Sequence, residues 1–266
     1  MKTTDFYLIR AISNLHVGGG EGDFSVIDKR VQRDSVTQLP TIHASGIKGA
    51  LREAMQAKSG GKNNATINEV FGTRHGEQTD VKQGKYRFFD GQLLALPARS
   101  NKDFFYVVTC PGLLLAAKQR IAQLNPEHPM LSVLEELSKL KGKYLGKKWG
   151  ELRLEDTILR NEDHSDYEHQ ELERLFGKRL AILSNEDFAK IAEELPIVAR
   201  NYLNNGISDN LWYEEYVPRE ARFLTMVTRE NSSNDHLGDY LEANKQLVQL
   251  GANATVGYGL CELKKL

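Results

Sequence analysis

The chain has 266 residues, a formal net charge of −1 and two cysteines, enough for one large or two small domains at about 100–200 residues each. Near-neutral charge excludes a global basic field for polyanions, and no stretch approaches the roughly 20 apolar residues of a membrane span. Cys110 and Cys261 read as buried free thiols in a reducing compartment; residues 1–5 lack a signal-peptide pattern, so a soluble, cytoplasmic protein is expected. The charge is unevenly spread: residues 29–53 are net +3, residues 118–153 net +4 and residues 155–194 net −7. Such blocks suit solvated faces, or a chain that grips polyanion on one side and neighbours on another.

Residues 5–13, with Phe6, Tyr7, Leu8 and Ile9, form an apolar run that reads as a first strand. It leads into Leu15-His16-Val17-Gly18-Gly19-Gly20-Glu21-Gly22, whose glycines permit positive φ and close approach to another molecule. Residues 24–31 read as a second extended piece carrying Asp28, and Thr37-Gln38-Leu39-Pro40 as a turn. Ser45-Gly46-Ile47-Lys48-Gly49-Ala50-Leu51-Arg52 reads as a helix start with Ser45 as N-cap. Its apolar stripe is Ile47, Ala50, Leu51 and Ala54. Lys48 and Arg52, four apart, are expected to leave one face near a helix N-terminus, which already favours an anion. Flexible glycines, an acidic residue and a cationic helix start together point to phosphate binding with an acid nearby.

Residues 57–66 and 74–84 read as exposed loops, and residues 67–72 as a helical turn closed by Gly72. Two strands follow at 86–97 and 104–109, then helical spacing over 113–124. Helix-prone sequence dominates 129–194, broken by a basic piece at 141–150. Residues 197–216, with the turn Asn204-Asn205-Gly206, read as a β-hairpin with a polar exposed part and an aromatic base. Residues 221–228 read as a strand and 239–250 as a helix. A glycine-rich loop over 251–263 feeds a last strand. The expected class is α+β, a central antiparallel sheet with helices on one face.

These residues carry a resemblance. The run from Leu15 to Gly22, Asp28, Gln32-Arg33-Asp34, Leu39-Pro40 and Ser45 to Arg52 resembles the N-terminal signature of the RAMP superfamily of CRISPR proteins. Pro97-Ala98-Arg99-Ser100, Thr109-Cys110-Pro111, Trp212-Tyr213-Glu214-Glu215-Tyr216-Val217-Pro218 and Gly251-Ala252-Asn253-Ala254-Thr255-Val256-Gly257-Tyr258-Gly259 narrow it. Together they resemble the repeated, target-RNA-cleaving backbone subunits of type III-B (Cmr) effector complexes. Residues 118–194 match least.

The resemblance implies an RRM-like (ferredoxin-like) palm, a helical insertion at about 118–194 and a thumb hairpin at about 197–216. It implies copies stacked head to tail along a guide RNA, beside other Cmr subunits, with single-stranded target RNA as substrate. Asp28 matches the acidic residue at which similar subunits cut, with a divalent metal, Mg²⁺ or Mn²⁺, that Asp28 would hold; in-line attack would come from the target's own 2′-hydroxyl. His16, Glu214 and Tyr216 are further candidates for the chemistry. Ser45, Lys48, Arg52, Gly251, Asn253, Thr255 and Gly257 are expected to hold RNA. The bland readings are a turn cap for Asp28, a backbone-bonded loop residue for His16 and a hairpin-base role for Glu214 and Tyr216. Rival functions are a non-catalytic scaffold of the same complex, a guide-processing RAMP nuclease working through histidine without metal, and a small-molecule phosphate enzyme, which no nucleotide motif supports.

Overall fold

The first apolar run, Phe6 to Ile9, lies in β1 (Lys2–Ala11), an interior strand of the main sheet. The computed structural model describes residues 2–19, 27–60, 64–73, 82–230 and 234–266. Gly20, Glu21, Gly22 and residues 24–26 of the expected glycine loop and second extended piece, and parts of the loops expected at 57–66 and 74–84, lie outside the described residues. After β1 come β2 (Thr41–Ile42), α1 (Ala44–Lys58), α2 (Ala65–Phe71), β3 (Arg87–Phe88), β4 (Gly91–Arg99), β5 (Phe105–Thr109), α3 (Pro111–Leu124) and α4 (Met130–Lys139). Next are β6 (Lys143–Tyr144), β7 (Glu151–Leu154), β8 (Thr157–Arg160), α5 (Gln170–Phe176), β9 (Leu180–Ile182) and α6 (Asn185–Glu193). The chain closes with β10 (Ile197–Asn204), β11 (Ile207–Glu215), β12 (Arg222–Glu230), α7 (His236–Ala243), β13 (Leu247–Gln249) and β14 (Leu260–Lys265).

The main sheet runs β13-β14-β1-β12-β4-β5-β9-β6, with β2 on β4 and β3 on β12. Its pairs are antiparallel except β5 with β9, which is parallel. Alternate β1 side chains point to opposite faces. Phe6 and Leu8 enter one apolar cluster, with Leu114 and Ile121 of α3 and Val133 and Leu137 of α4. Tyr7, Ile9 and Ala11 enter another, with Ile47 and Leu51 of α1 and Leu237 and Leu241 of α7. Helices therefore cover both faces, not the expected one. An unbroken apolar run, rather than an alternating one, is what a strand buried on both sides requires.

Other boundaries move for local reasons. α1 starts at Ala44, with extended His43 preceding it and no side-chain cap from Ser45. The cap comes from far away in sequence: Asp90 Oδ1 accepts the Ala44 N–H at 2.6 Å. Gly72 closes α2 as expected, at φ +87°. The helix expected at 239–250 stops at Ala243, because Lys245 and Gln246 take positive φ and residues 247–249 pair with β14. Residues 129–194 are mixed rather than helix-dominated. Leu180, Ala181 and Ile182 are buried and complete the sheet as β9, and β7 and β8 form a hairpin turning at Glu155, φ +49°.

β10 and β11 make a two-stranded sheet apart from the main one. Asn205 (φ 50°) and Gly206 (φ 82°) supply the two left-handed positions of a tight hairpin turn. Its distal part is less polar than expected: Tyr202, Leu211 and Ile207, the last 73% exposed, face outward.

At the foot of β12, burial alone would raise the Glu220 carboxyl. The hydrogen bond from Arg10 and the charge of Arg222 outweigh that and hold it below the usual range. A depressed folded pKa gives stability that is present above the unfolded value, about 4.3, and lost as pH falls through the folded one. Urea unfolding from pH 7 to pH 3 should therefore show stability falling below about pH 4. Glu220→Gln should be less stable at pH 7 and show a shallower fall; an unaltered acid profile would contradict the assignment.

Candidate active site at the hairpin base

Four stretches meet where β1 leaves the sheet: residues 15–19, residues 27–33, the base of β11 and the loop at 251–259. Leu15 and Val217 exchange both backbone hydrogen bonds at 2.8 Å, and the Ala252 N–H donates to the His16 carbonyl at 2.9 Å. Gly251 sits at φ +72°, where a Cβ would run into that carbonyl. Only glycine permits this approach.

Residues 27–31 lie along the edge of the hairpin rather than forming a strand of their own. Lys29 N–H donates to the Tyr213 carbonyl at 3.1 Å, and Glu215 N–H to the Lys29 carbonyl at 2.9 Å. The Asp28 side chain continues the ladder, its Oδ2 accepting the Tyr213 N–H at 2.7 Å. Asp28 itself is exposed. Its carboxylate is thus fixed on one oxygen and open to solvent. Lys29 Nζ lies 5.0 Å from the Trp212 ring centroid, a cation–π distance that holds a positive charge next to it.

Two adjacent carboxylates are buried at the hairpin base. Glu215 Oε2 accepts the Val31 N–H at 3.0 Å and Oε1 pairs with Arg33 Nη2 at 2.7 Å. Glu214, 1% exposed, turns the other way. Arg200 Nε lies 3.2 Å from its Oε2, Trp212 Nε1 donates to it at 3.4 Å, and Asn253 Nδ2 donates to Oε1. His16, also buried, donates from Nδ1 to the Glu215 carbonyl at 2.7 Å, with Glu214 Oε1 at 3.6 Å. Its Nε2 lies against Gly18. The Arg200 guanidinium stands 4.7 Å over the Tyr258 ring, which meets Tyr216 edge-on at 5.7 Å. Burial pushes the Tyr216 phenol up, so it stays protonated.

A model of the RAMP superfamily matches residues 8–262. The chain belongs to the RAMP superfamily. Among RAMP proteins it is 27% identical to the CRISPR system Cmr endoribonuclease Cmr4 of Pyrococcus furiosus, over 93% of this chain and 90% of that one. It is 24% identical to the CRISPR system CMR subunit Cmr4 of Saccharolobus solfataricus, over 98% and 96%. Its fold is similar to a subunit of the apo type III-B Cmr-beta complex, with TM-score 0.81, 25% identity and 99% and 97% of the two chains covered. A crystal structure of oligomeric Cmr4 from Pyrococcus furiosus shares the fold at TM-score 0.68 and 20% identity, covering 99% and 98%.

Mapped onto this RAMP fold, the expected site residues separate into those that face solvent and those that hold the site. Asp28, Ser45, Thr255, Gly251 and Gly257 are exposed, and Lys48 and Tyr216 are half-buried. His16 and Glu214 lie under the hairpin base, and the Asn253 amide is committed to Glu214. Lys48 and Arg52 stand one turn apart on α1, both half-buried, with Arg52 Nε and Nη2 turned into the protein. The start of α1 already faces the Asp90 carboxylate, which offsets part of its attraction for an anion. It remains tied to the Asp28 segment through Gln32, whose Oε1 accepts the His43 N–H at 2.9 Å and whose carbonyl accepts the Thr41 N–H at 3.0 Å.

Arg33, Arg200 and Glu215 belong to this cluster and were not among the residues expected from the sequence. Arg33 and Glu215 stand inside quoted motifs and Arg200 within the expected hairpin, but each meets its partner across a distance in sequence. Because the Arg200 ion pair at 3.2 Å offsets the burial of Glu214, Arg200→Ala should cost roughly 1–3 kcal/mol, the scale of a buried polar group that loses its partner. Denaturant unfolding of the two proteins measures this, and equal midpoints would contradict the pairing.

Proposed function

We propose that this chain is the repeated backbone subunit of a cytoplasmic type III-B CRISPR effector, binding guide RNA and cutting complementary single-stranded target RNA. The observation that carries the reading is the exposed Asp28 carboxylate, fixed through Oδ2 on the base of a projecting hairpin. The relatives' names as Cmr4, one an endoribonuclease, support it, as does the chain's likeness to Cmr-beta, of which a related structure holds cognate target RNA. In this reading the main sheet is an RRM-like palm and β10–β11 its thumb. The outward Tyr202, Ile207 and Leu211 suit insertion beside bases, where apolar side chains replace lost stacking. Copies stack head to tail beside other Cmr subunits; such heterologous contacts build open filaments.

The bond broken is a phosphodiester. The target's 2′-hydroxyl attacks the adjacent phosphorus in line, the 5′-oxygen leaves, and a 2′,3′-cyclic phosphate results. Duplex clamped on both sides of a displaced nucleotide supplies the alignment, and alignment can carry much of the acceleration. Asp28, through the oxygen not bonded to Tyr213, takes the attacking hydroxyl's proton, and the departing 5′-oxygen takes one from solvent. His16 and Glu214 hold the wall beneath it, and Tyr216 packs that wall against Tyr258.

Among the described residues no three His, Cys, Asp or Glu side chains lie together as a metal cage. A lone carboxylate still fits Mg²⁺ or Mn²⁺, since Mg²⁺ is commonly held by one or two carboxylates plus substrate phosphates. Asp28 would hold such an ion, which when bound neutralises charge on the phosphate. Lys48, Ser45 and the exposed part of the 251–259 loop would contact guide phosphates.

The test is target cleavage by the reconstituted complex. Asp28→Ala should abolish evenly spaced cuts while guide and target binding persist, and EDTA should stop the wild-type complex. Wild-type products should carry cyclic-phosphate ends. Unchanged cutting by Asp28→Ala would leave this chain as scaffold, and EDTA-resistant cutting would favour histidine chemistry.

A further inference from the structure

Arg33 touches neither the exposed Asp28 oxygen nor the hairpin tip, yet it connects the core of the molecule to the segment that carries Asp28. Its Nη1 donates to the Ala192 carbonyl at 2.9 Å and to the Gln38 carbonyl at 2.9 Å, and its Nη2 lies 3.5 Å from the Glu193 carbonyl. Ala192 and Glu193 end α6, where a helix's unpaired carbonyls and dipole favour a cation. α6 is anchored in turn by Phe188 and Ala192, both in the core cluster under β1. The other branch of the guanidinium takes Glu215 Oε1 at 2.7 Å, and Glu215 Oε2 holds the Val31 N–H at 3.0 Å. The route runs from core to α6, to Arg33, to Glu215, and so to both the hairpin base and the residues following Asp28.

We propose that Arg33 and Glu215 form a positioning pair that sets the Asp28 carboxylate in register with the hairpin. The proposal rests on Asp28 being the cleaving residue. Without the pair, residues 28–31 keep backbone bonds to β11 but lose the side-chain clamp that fixes them to the core. The geometry demands arginine in particular. One planar fork reaches helix-end carbonyls and a carboxylate together, which a single ammonium on a flexible stem does not reproduce. Glu215 is likewise bound on both oxygens. A glutamine there offers one acceptor where two are used, so either Val31 or Arg33 loses its partner.

The experiment uses the reconstituted ribonucleoprotein carrying wild-type subunit, Arg33→Ala, Arg33→Lys, Glu215→Gln, the Arg33→Ala/Glu215→Gln double variant, or Asp28→Ala. Single-turnover cleavage and target-RNA affinity are measured for each, with hydrogen exchange of the amides in 211–217. Arg33→Ala and Glu215→Gln should slow cutting by about 10- to 100-fold, the scale of an ångström-sized misplacement. Arg33→Lys should be intermediate, and target affinity should not change. The double variant should be no slower than the worse single, because paired residues act as a unit. Exchange should quicken at 211–217 and not in β1 or β12. Wild-type rates in the Arg33 and Glu215 variants, beside an inactive Asp28→Ala, would overturn the proposal. So would loss of assembly in Arg33→Lys, which would make the pair a folding element, or additive effects in the double variant. Normal cutting by Asp28→Ala would instead overturn the reading on which the pair depends.

Discussion

Two neighbouring carboxylates pointing opposite ways hold this site together. Successive side chains of a strand alternate in direction, and β11 ends in Glu214 and Glu215. One therefore faces His16, Arg200 and the C-terminal loop, while the other faces Val31 and Arg33. Both are buried, and a buried charge is stable only with its partners in place. The partners come from residues 16, 31, 33, 200 and 253, so the base of the hairpin is complete only when all those segments have arrived. Function follows from this constraint. In the proposed function the hairpin works against RNA and needs a rigid root, and charge pairs with several defined donors give direction as well as attraction.

The sheet prepares the place. β1 is buried on both faces by helices, so its end is held by the core, and His16 follows a few residues after it. The hairpin is outside the main sheet and is joined to this end by the Leu15–Val217 rung and the Lys29 rung. The protein thus separates a stiff platform from an arm with exposed apolar tips, and sets one solvent-facing carboxylate, Asp28, where they meet. In the proposed function the buried network supplies shape and Asp28 the reactivity.

What was legible in the sequence was local. The apolar run at 6–9, the Asn205-Gly206 turn and the glycine closing α2 each encode their geometry within a few residues. The choice of Asp28 followed from resemblance, not from spacing, and its place beside the hairpin base came only with the fold. What stayed hidden depends on distant partners. Asp90 caps α1 across 46 residues and Arg33 pairs with Glu215 across 182, and neither leaves a periodic signal. The strands within 129–194 were hidden because Leu180–Ile182 is a short apolar run, a pattern that a buried helix shares. Glu214 read as a candidate for the chemistry or as part of the hairpin base; its burial follows from Arg200, Asn253 and His16 converging on it.

The most direct measurement is a structure of the assembled complex with target RNA carrying a 2′-deoxyribose at the cut position, so that attack cannot occur. The Asp28 carboxylate should face that phosphodiester, directly or through a bound divalent ion. Glu214 should remain under the hairpin on Arg200 and Asn253, and Glu215 on Arg33. Glu214 turned out to contact the RNA, or Asp28 directed away from the cut phosphodiester, would contradict it.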